Sequence, residues 1–236
     1  MILQITEYLR LFVIFVPQIF MVVLFSFLIF RILKRNTNRN SLTLSGFYFT
    51  VSLSLALNGI AVLIAFFSPS EFIATLYLIL NFLVIFSFVF IIVFILGLLK
   101  LKYVFTVKKA LAIILAYGTV WLILLLFPGG INHSENWAPI YSFPTYIAGN
   151  ILFTITFTIP VIYYSIRLRK LFIDSDLKKK LSLFLIGNML VTIIIYGALL
   201  YGTWQDPTFK NAWNIITTVL LISSGLLIYY GIGRDL

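Results

Sequence analysis

FIATLYLILNFLVIFSFVFIIVFILGLL, from Phe72 to Leu99, runs for 28 residues without an Asp, Glu, Lys, Arg or His. A helix gains about 1.5 Å per residue, so a run of this length outreaches the roughly 30 Å hydrocarbon core of a bilayer. It has no polar face to offer water. Six further stretches repeat the pattern: Leu11–Phe30, Thr43–Phe67, Ala110–Phe127, Tyr146–Ile166, Leu181–Tyr201 and Ala212–Ile232. None holds an ionisable side chain of those five types. The sequence therefore predicts an all-α polytopic membrane protein, a single domain over residues 1–236 built as a bundle of seven transmembrane helices.

Composition agrees. Of the 236 residues 62% are hydrophobic and 10% charged, where soluble domains carry about 25% charged residues. Too little polar side chain exists to clothe such a chain in water. The stretch from Leu11 is longer than a signal-peptide core, lacks a small-residue cleavage site after it and has only Arg10 before it, so it reads as the first span. No cysteine is present, which removes disulfides, thiolate metal sites and cysteine nucleophiles.

Charge between the spans sets an orientation. Arg31, Lys34, Arg35 and Arg39 follow the first span; Lys100, Lys102, Lys108 and Lys109 follow the third. Arg167, Arg169, Lys170, Lys178, Lys179 and Lys180 follow the fifth, and Arg234 the seventh. Fifteen of the seventeen basic residues thus fall on one side, leaving Arg10 and Lys210 on the other. The positive-inside rule makes that side cytoplasmic, with the N-terminus outside and the C-terminus inside. The net charge of +10 is then a matter of topology and of contact with the lipid bilayer, not of nucleic acid. The outer face comprises residues 1–10, a tight turn at Ser68–Glu71, a long loop from Pro128 to Thr145 and a short one at Asp206–Pro207. The long loop carries the sequon Asn132-His133-Ser134. Trp137, Tyr141 and Tyr146 outside, and Tyr163, Tyr164, Tyr229 and Tyr230 inside, read as interfacial belts.

The spans exclude much chemistry. Proton relays, carboxylate-coupled transporters and voltage sensors need ionisable groups in the membrane. The one histidine, His133, lies in the outer loop, so no metal-ligand set or Ser–His pair is available within the spans. The last span has no lysine for a retinal Schiff base. The expectation is a protein that is not an enzyme, with no metal and no cofactor.

What remains is polar, uncharged and periodic. Ser54, Asn58, Ala61 and Ala65 share a face of the second span, as Tyr77 and Asn81 do in the third. Asn150, Thr154 and Thr158 do so in the fifth, Asn188, Thr192 and Tyr196 in the sixth, and Asn214, Thr218 and Gly225 in the seventh. Counting from the span ends places Asn58, Asn81, Asn150 and Asn214, with Trp121, in the outer half under the long loop. Asn188 alone falls in the inner half. Each such group has a plain reading as interhelical glue, at about 0.6 kcal/mol. Taken together, the five form a candidate ligand-binding site with apolar walls and a few amides, suited to a small or lipid-like ligand. The basic fifth loop (Arg167, Arg169, Lys170, Lys178, Lys179, Lys180) reads either as anionic-lipid contact or as a docking surface for a cytoplasmic signalling partner.

This arrangement resembles the seven-transmembrane sensor module at the N-terminus of some histidine kinases. Phe127-Pro128-Gly129-Gly130 through Trp137-Ala138-Pro139 is similar to that module's long outer loop, and Tyr163–Lys180 to its basic fifth loop. The resemblance spans the whole chain as a pattern of spans and loops and implies a receptor-like sensor in the cell membrane. In those kinases an output domain follows; here the sequence ends at Arg234-Asp235-Leu236, so either such a domain has been removed or a separate partner carries the signal. Pro17-Gln18 is similar to the PQ-loop and sugar-transporter motif, which implies a seven-helix facilitator of a neutral solute. The fifth span has Pro160-Val161 where that family repeats the motif. A structural protein without ligand is the third reading.

Overall fold

The computed structural model describes residues 2–67, 71–99, 106–133 and 139–234. Expectations for the Ser68–Ser70 turn, Lys100, Lys102, Ser134 and Trp137 lie outside the described residues, as do the side chains of Arg10 and His133. Among the described residues seven helices are long and apolar enough to cross a membrane, and the protein is a multi-pass membrane bundle. The helices are α1 (Ile2–Arg35), α2 (Arg39–Phe67), α3 (Glu71–Leu98), α4 (Val107–Leu125), α5 (Phe143–Leu171), α6 (Ser175–Thr203) and α7 (Pro207–Ile232).

Several helices outrun the apolar stretches that announce them, and their caps explain why. Asp174 accepts the Asp176 N–H at 2.9 Å and begins α6 six residues before Leu181. Asp206 accepts the Phe209 N–H at 2.7 Å with Pro207 in the first turn, starting α7 before Ala212. Ser142, followed by Pro144, starts α5, and Thr106 starts α4. A cap satisfies N–H groups that the helix leaves open, and Pro fits where no N–H is needed. Polar residues at the membrane surface thus prolong helices whose centres are set by hydropathy.

α3 and α6 form the centre. Their apolar windows are 56% and 50% buried, against 22% for α1 and α4. α1, α2, α3 and α4 pack in chain order; α5 leans on α3 and α6, and α7 lies along α6. α7 closes on the start of the chain: the Phe25 ring lies against Gly225, and the Tyr48 hydroxyl donates to the Gly225 carbonyl at 2.8 Å. Where α6 and α7 meet, glycine removes the spacer. A Cβ on Gly231 would stand 2.6 Å from the Phe184 nitrogen, and one on Gly187 3.1 Å from the Ser224 oxygen. Without a hydrophobic drive between helices in lipid, such close backbone approach is a main source of attraction.

Two features go beyond the sequence reading. α5 is not a regular helix: Thr154–Thr158 forms a π turn directly before Pro160. The Ile159 N–H reaches back to Thr154 O, and Pro160 has no N–H to give, so the wide turn absorbs the missing bond. The long loop is also not irregular. It holds an antiparallel ribbon of β1 (Ile131–His133) and β2 (Pro139–Tyr141), with Ile131 opposite Tyr141. Gly129, at φ 74°, makes the left-handed bend that leads into β1, and the Ser142 N–H closes on Gly130 O at 2.9 Å.

A layer of rings fills the bundle between α3, α4 and α5. Phe88 lies 5.3 Å from Phe153 and 5.0 Å from Phe157, which stack on each other at 4.9 Å. Trp121 meets Phe153 edge-on at 6.4 Å. Each of these four rings is under 5% exposed, so the layer is a dry, packed floor.

Candidate functional site

Between this floor and the hairpin lies a cleft of about 230 Å³. α3 supplies Ala74, Leu78 and Asn81; α4 supplies Leu125; the turn after it supplies Leu126, Phe127, Pro128 and Gly129; the ribbon supplies Ile131 and Pro139. Asn81 brings the one polar side chain of this lining. Its neighbours explain its position: Ser54 on α2 donates to Leu80 O at 2.9 Å, fixing the rotation of α3 so that the next residue turns towards α4 and the ribbon.

The Asn81 Nδ2 is buried and has no hydrogen-bond partner. A buried amide N–H left unpaired costs about 1–3 kcal/mol. The hydroxyl of Tyr141 is its polar neighbour from β2. Burial pushes that hydroxyl up from the ordinary tyrosine range, and Asn81 beside it acts weakly in the other direction. Tyr141 is held by Gly202 of α6, where a Cβ would come within 2.4 Å of the ring. The ribbon is thus seated on the bundle by one buried tyrosine. A turn below, Trp121 is 1% exposed and its Nε1 also lacks a hydrogen-bond partner. The Tyr117 hydroxyl, in reach of Trp121 and Thr156, donates to Ile85 O at 3.1 Å.

Of the five residues expected to converge, Asn81 lines the cleft, while Trp121 is buried on α4 against Tyr117 and Phe153 and does not line it. Asn150 is on the inward face of α5 but spends its Nδ2 on Tyr146 O of its own helix, at 2.8 Å. Asn58, half-buried on α2, is absent from the cleft lining. Asn214 is exposed on the outer face of α7 and does not join. An Asn spaced helically from a buried glycine can still sit at the edge of its stripe, which is where Asn214 falls.

Tyr141 was read only as a belt residue, and nothing in a three-residue strand marks it as a plug. No spacing in the sequence ties Gln18 to Thr217. Both carry a buried, unpartnered side-chain oxygen. The Phe25–Gly225 contact puts them at one level of α1 and α7.

At the opposite end, Arg169, Ser175, Lys178, Lys179, Ser182 and Leu183 line an open groove of about 580 Å³ where α5 turns into α6. Arg167, Arg169, Lys170 and Lys179 are exposed, and Lys180 pairs with Asp176 at 3.2 Å. Leu171 and Ile173, 62% and 96% exposed, are interleaved with these charges. Among the described residues no group of three His, Cys, Asp or Glu is placed to hold a metal.

Neither a protein-family model nor a curated protein matches the chain. The functional reading therefore rests on the two ends of the bundle and what joins them.

Proposed function

We propose that the protein is a receptor-like membrane sensor in the cell membrane, with the hairpin end outside and the basic end in the cytoplasm. A small or lipid-like ligand enters the cleft under the ribbon, and the basic loop between α5 and α6 passes the change to a cytoplasmic partner. The observation that carries this reading is the packed ring layer deeper in the bundle than the cleft. Trp121, Phe88, Phe153 and Phe157 are buried there without lining the cleft, which favours binding over passage. Of these rings Phe153 lies on α5 just before its π turn and Phe157 within it, and the last turns of α5 carry Arg167, Arg169 and Lys170. A ligand that favours one packing of the layer would shift the loop only as far as its affinity differs between the two states. The likeness to histidine-kinase sensor modules supports the same role.

One observation favours a facilitator instead. Asn188 Oδ1, fully buried on α6 in the basic half, has no hydrogen-bond partner, as a stepping stone for a neutral solute would require. Because the chain has no cysteine, one experiment separates the two. Asn81→Cys and Asn188→Cys are labelled in turn with a membrane-impermeant thiol reagent from each side. The sensor reading expects Asn81→Cys to react from the hairpin side alone and Asn188→Cys from neither. Reaction of either position from both sides would replace the sensor by a transporter.

A further inference from the structure

The cleft also states what kind of ligand it accepts. We infer that its ligand is an uncharged, compact, mainly apolar molecule that presents one hydrogen-bond acceptor, such as a carbonyl oxygen, to Asn81 Nδ2. This inference rests on reading the cleft as the ligand site and goes beyond it to chemistry.

Three observations carry it. First, Asn81 is the one polar side chain among the lining residues, and the rest of the polar surface is backbone. No Lys, Arg, Asp, Glu or His lines it, so an ion entering would lose its hydration and gain no opposite charge. Second, the group that Asn81 leaves open is a donor. Its Nδ2 is buried without a hydrogen-bond partner, with the Tyr141 hydroxyl as its polar neighbour. An acceptor placed there recovers the cost of the unpaired N–H, whereas a hydrocarbon of the same shape leaves it in place. Discrimination of this kind, where a site holds a polar group that only the right ligand satisfies, exceeds what an apolar wall achieves alone. Third, the volume of about 230 Å³ lies below the range of about 300–1,000 Å³ usual for drug-sized ligands. A ring of six or seven carbons with one oxygen suits it better than a long acyl chain or a sugar. The rim points the same way. Leu126 and Phe127 at the mouth are 57% and 64% exposed, so an apolar solute approaching along the membrane surface meets no polar barrier.

The test uses Ala74→Cys, a small replacement on the cleft wall, in the full chain. Its rate of alkylation reports occupancy. Four probes of one shape are compared as protectants: cyclohexanone, methylcyclohexane, cyclohexylammonium and cyclohexanecarboxylate. The expected result is protection by cyclohexanone at a concentration about tenfold or more below that of methylcyclohexane, with no protection by either ion. Adding Asn81→Leu should abolish the advantage of the ketone while methylcyclohexane protects as before. Asn81→Asp, unable to donate when ionised, should likewise lose it. Equal protection by ketone and hydrocarbon would overturn the acceptor inference and leave the cleft as a binding site. Stronger protection by either ion would overturn it too. Protection by none of the four would overturn both the inference and the sensor reading on which it rests.

Discussion

Tyr196 on α6 places its hydroxyl 2.6 Å from the Oγ1 of Thr154 on α5, and the direction of that bond can be read. Thr154 has a single hydroxyl proton, which goes to Asn150 O at 2.7 Å. Tyr196 must therefore donate and Thr154 accept. Thr158, 3.4 Å from the same Tyr196 oxygen, is the donor that remains. The two threonines bracket the π turn, so Tyr196 fastens α6 to the one irregular segment of α5. Tyr196→Phe keeps the ring against Phe153 and removes only the hydroxyl. We expect a loss of about 0.6 kcal/mol, and at most roughly 1.7. Thr154→Val should cost a similar amount, and the double variant less than the sum of the two, since they share one bond. Thermal unfolding in detergent measures all three; strict additivity would show that the bond carries no energy.

Glycines in this bundle are not equivalent, and the structure ranks them. At Gly231 a methyl group would meet the Phe184 nitrogen at 2.6 Å and the Lys180 oxygen at 2.8 Å, backbone that no side-chain rotation can clear. At Gly46 it would meet only the Phe90 ring at 3.1 Å, which can give by a few tenths of an ångström. Gly231→Ala should therefore cost about 1–3 kcal/mol by forcing α7 off α6. Gly46→Ala should change stability by well under that. The midpoint of chemical or thermal denaturation decides it, and a Gly46→Ala loss as large as that of Gly231→Ala would contradict the ranking.

The bundle was legible because hydropathy works at the scale of a whole span. Phe72 to Leu99 can lie nowhere but in an apolar surround, and the structure makes α3 the most enclosed helix. The helix ends were less legible. Asp174 and Asp206 act as caps through single backbone N–H groups, a geometry that a charge count reads as loop. The ribbon escaped notice because its strands are three residues long and one begins with Pro139, which β-patterns disfavour. At the site, spacing and depth pointed to five residues, of which Asn81 lines the cleft. Asn214 is exposed, because a stripe defined by spacing is wider than the part of it that meets a neighbour. Tyr141 was beyond reach from sequence, since its burial depends on Gly202, sixty-one residues away and on another helix.

Tyr141 also ties stability to pH. Its hydroxyl, buried under the ribbon, has a pKa raised above the ordinary value of 10.0, with desolvation as the main cause. In the unfolded chain the group ionises near that ordinary value; in the folded chain it keeps its proton. The stabilisation is whole below about pH 10 and declines as pH rises beyond it, because only the unfolded state gives up the proton. Tyr141→Phe removes this dependence. Melting temperatures at pH 8 and pH 11 should therefore fall less in Tyr141→Phe than in the parent. Equal falls would mean that Tyr141 is hydrated and the ribbon not seated as described.

The orientation that the charge distribution predicts can be read with two single cysteines. Asn132 is exposed on β1 at the hairpin end, and Ser175 is exposed at the start of α6 beside Lys178 and Lys179. Lys and Arg resist transfer across the bilayer during insertion, so the end that holds Arg31, Lys34, Arg35, Arg39, Arg167, Arg169, Lys170 and Lys178–Lys180 should stay in the cytoplasm. In intact cells an impermeant maleimide should label Asn132→Cys and spare Ser175→Cys; after permeabilisation both should react. The reverse pattern would turn the bundle over. It would put the Asn81 cleft on the cytoplasmic side, and the ligand would then have to be sought among solutes inside the cell. Labelling of both positions in intact cells would instead point to a mixed population of orientations, a result that the strong asymmetry of basic residues argues against. Adding three lysines to the sequence between β1 and β2 should then reduce labelling there, since it narrows the charge difference that sets the inserted direction.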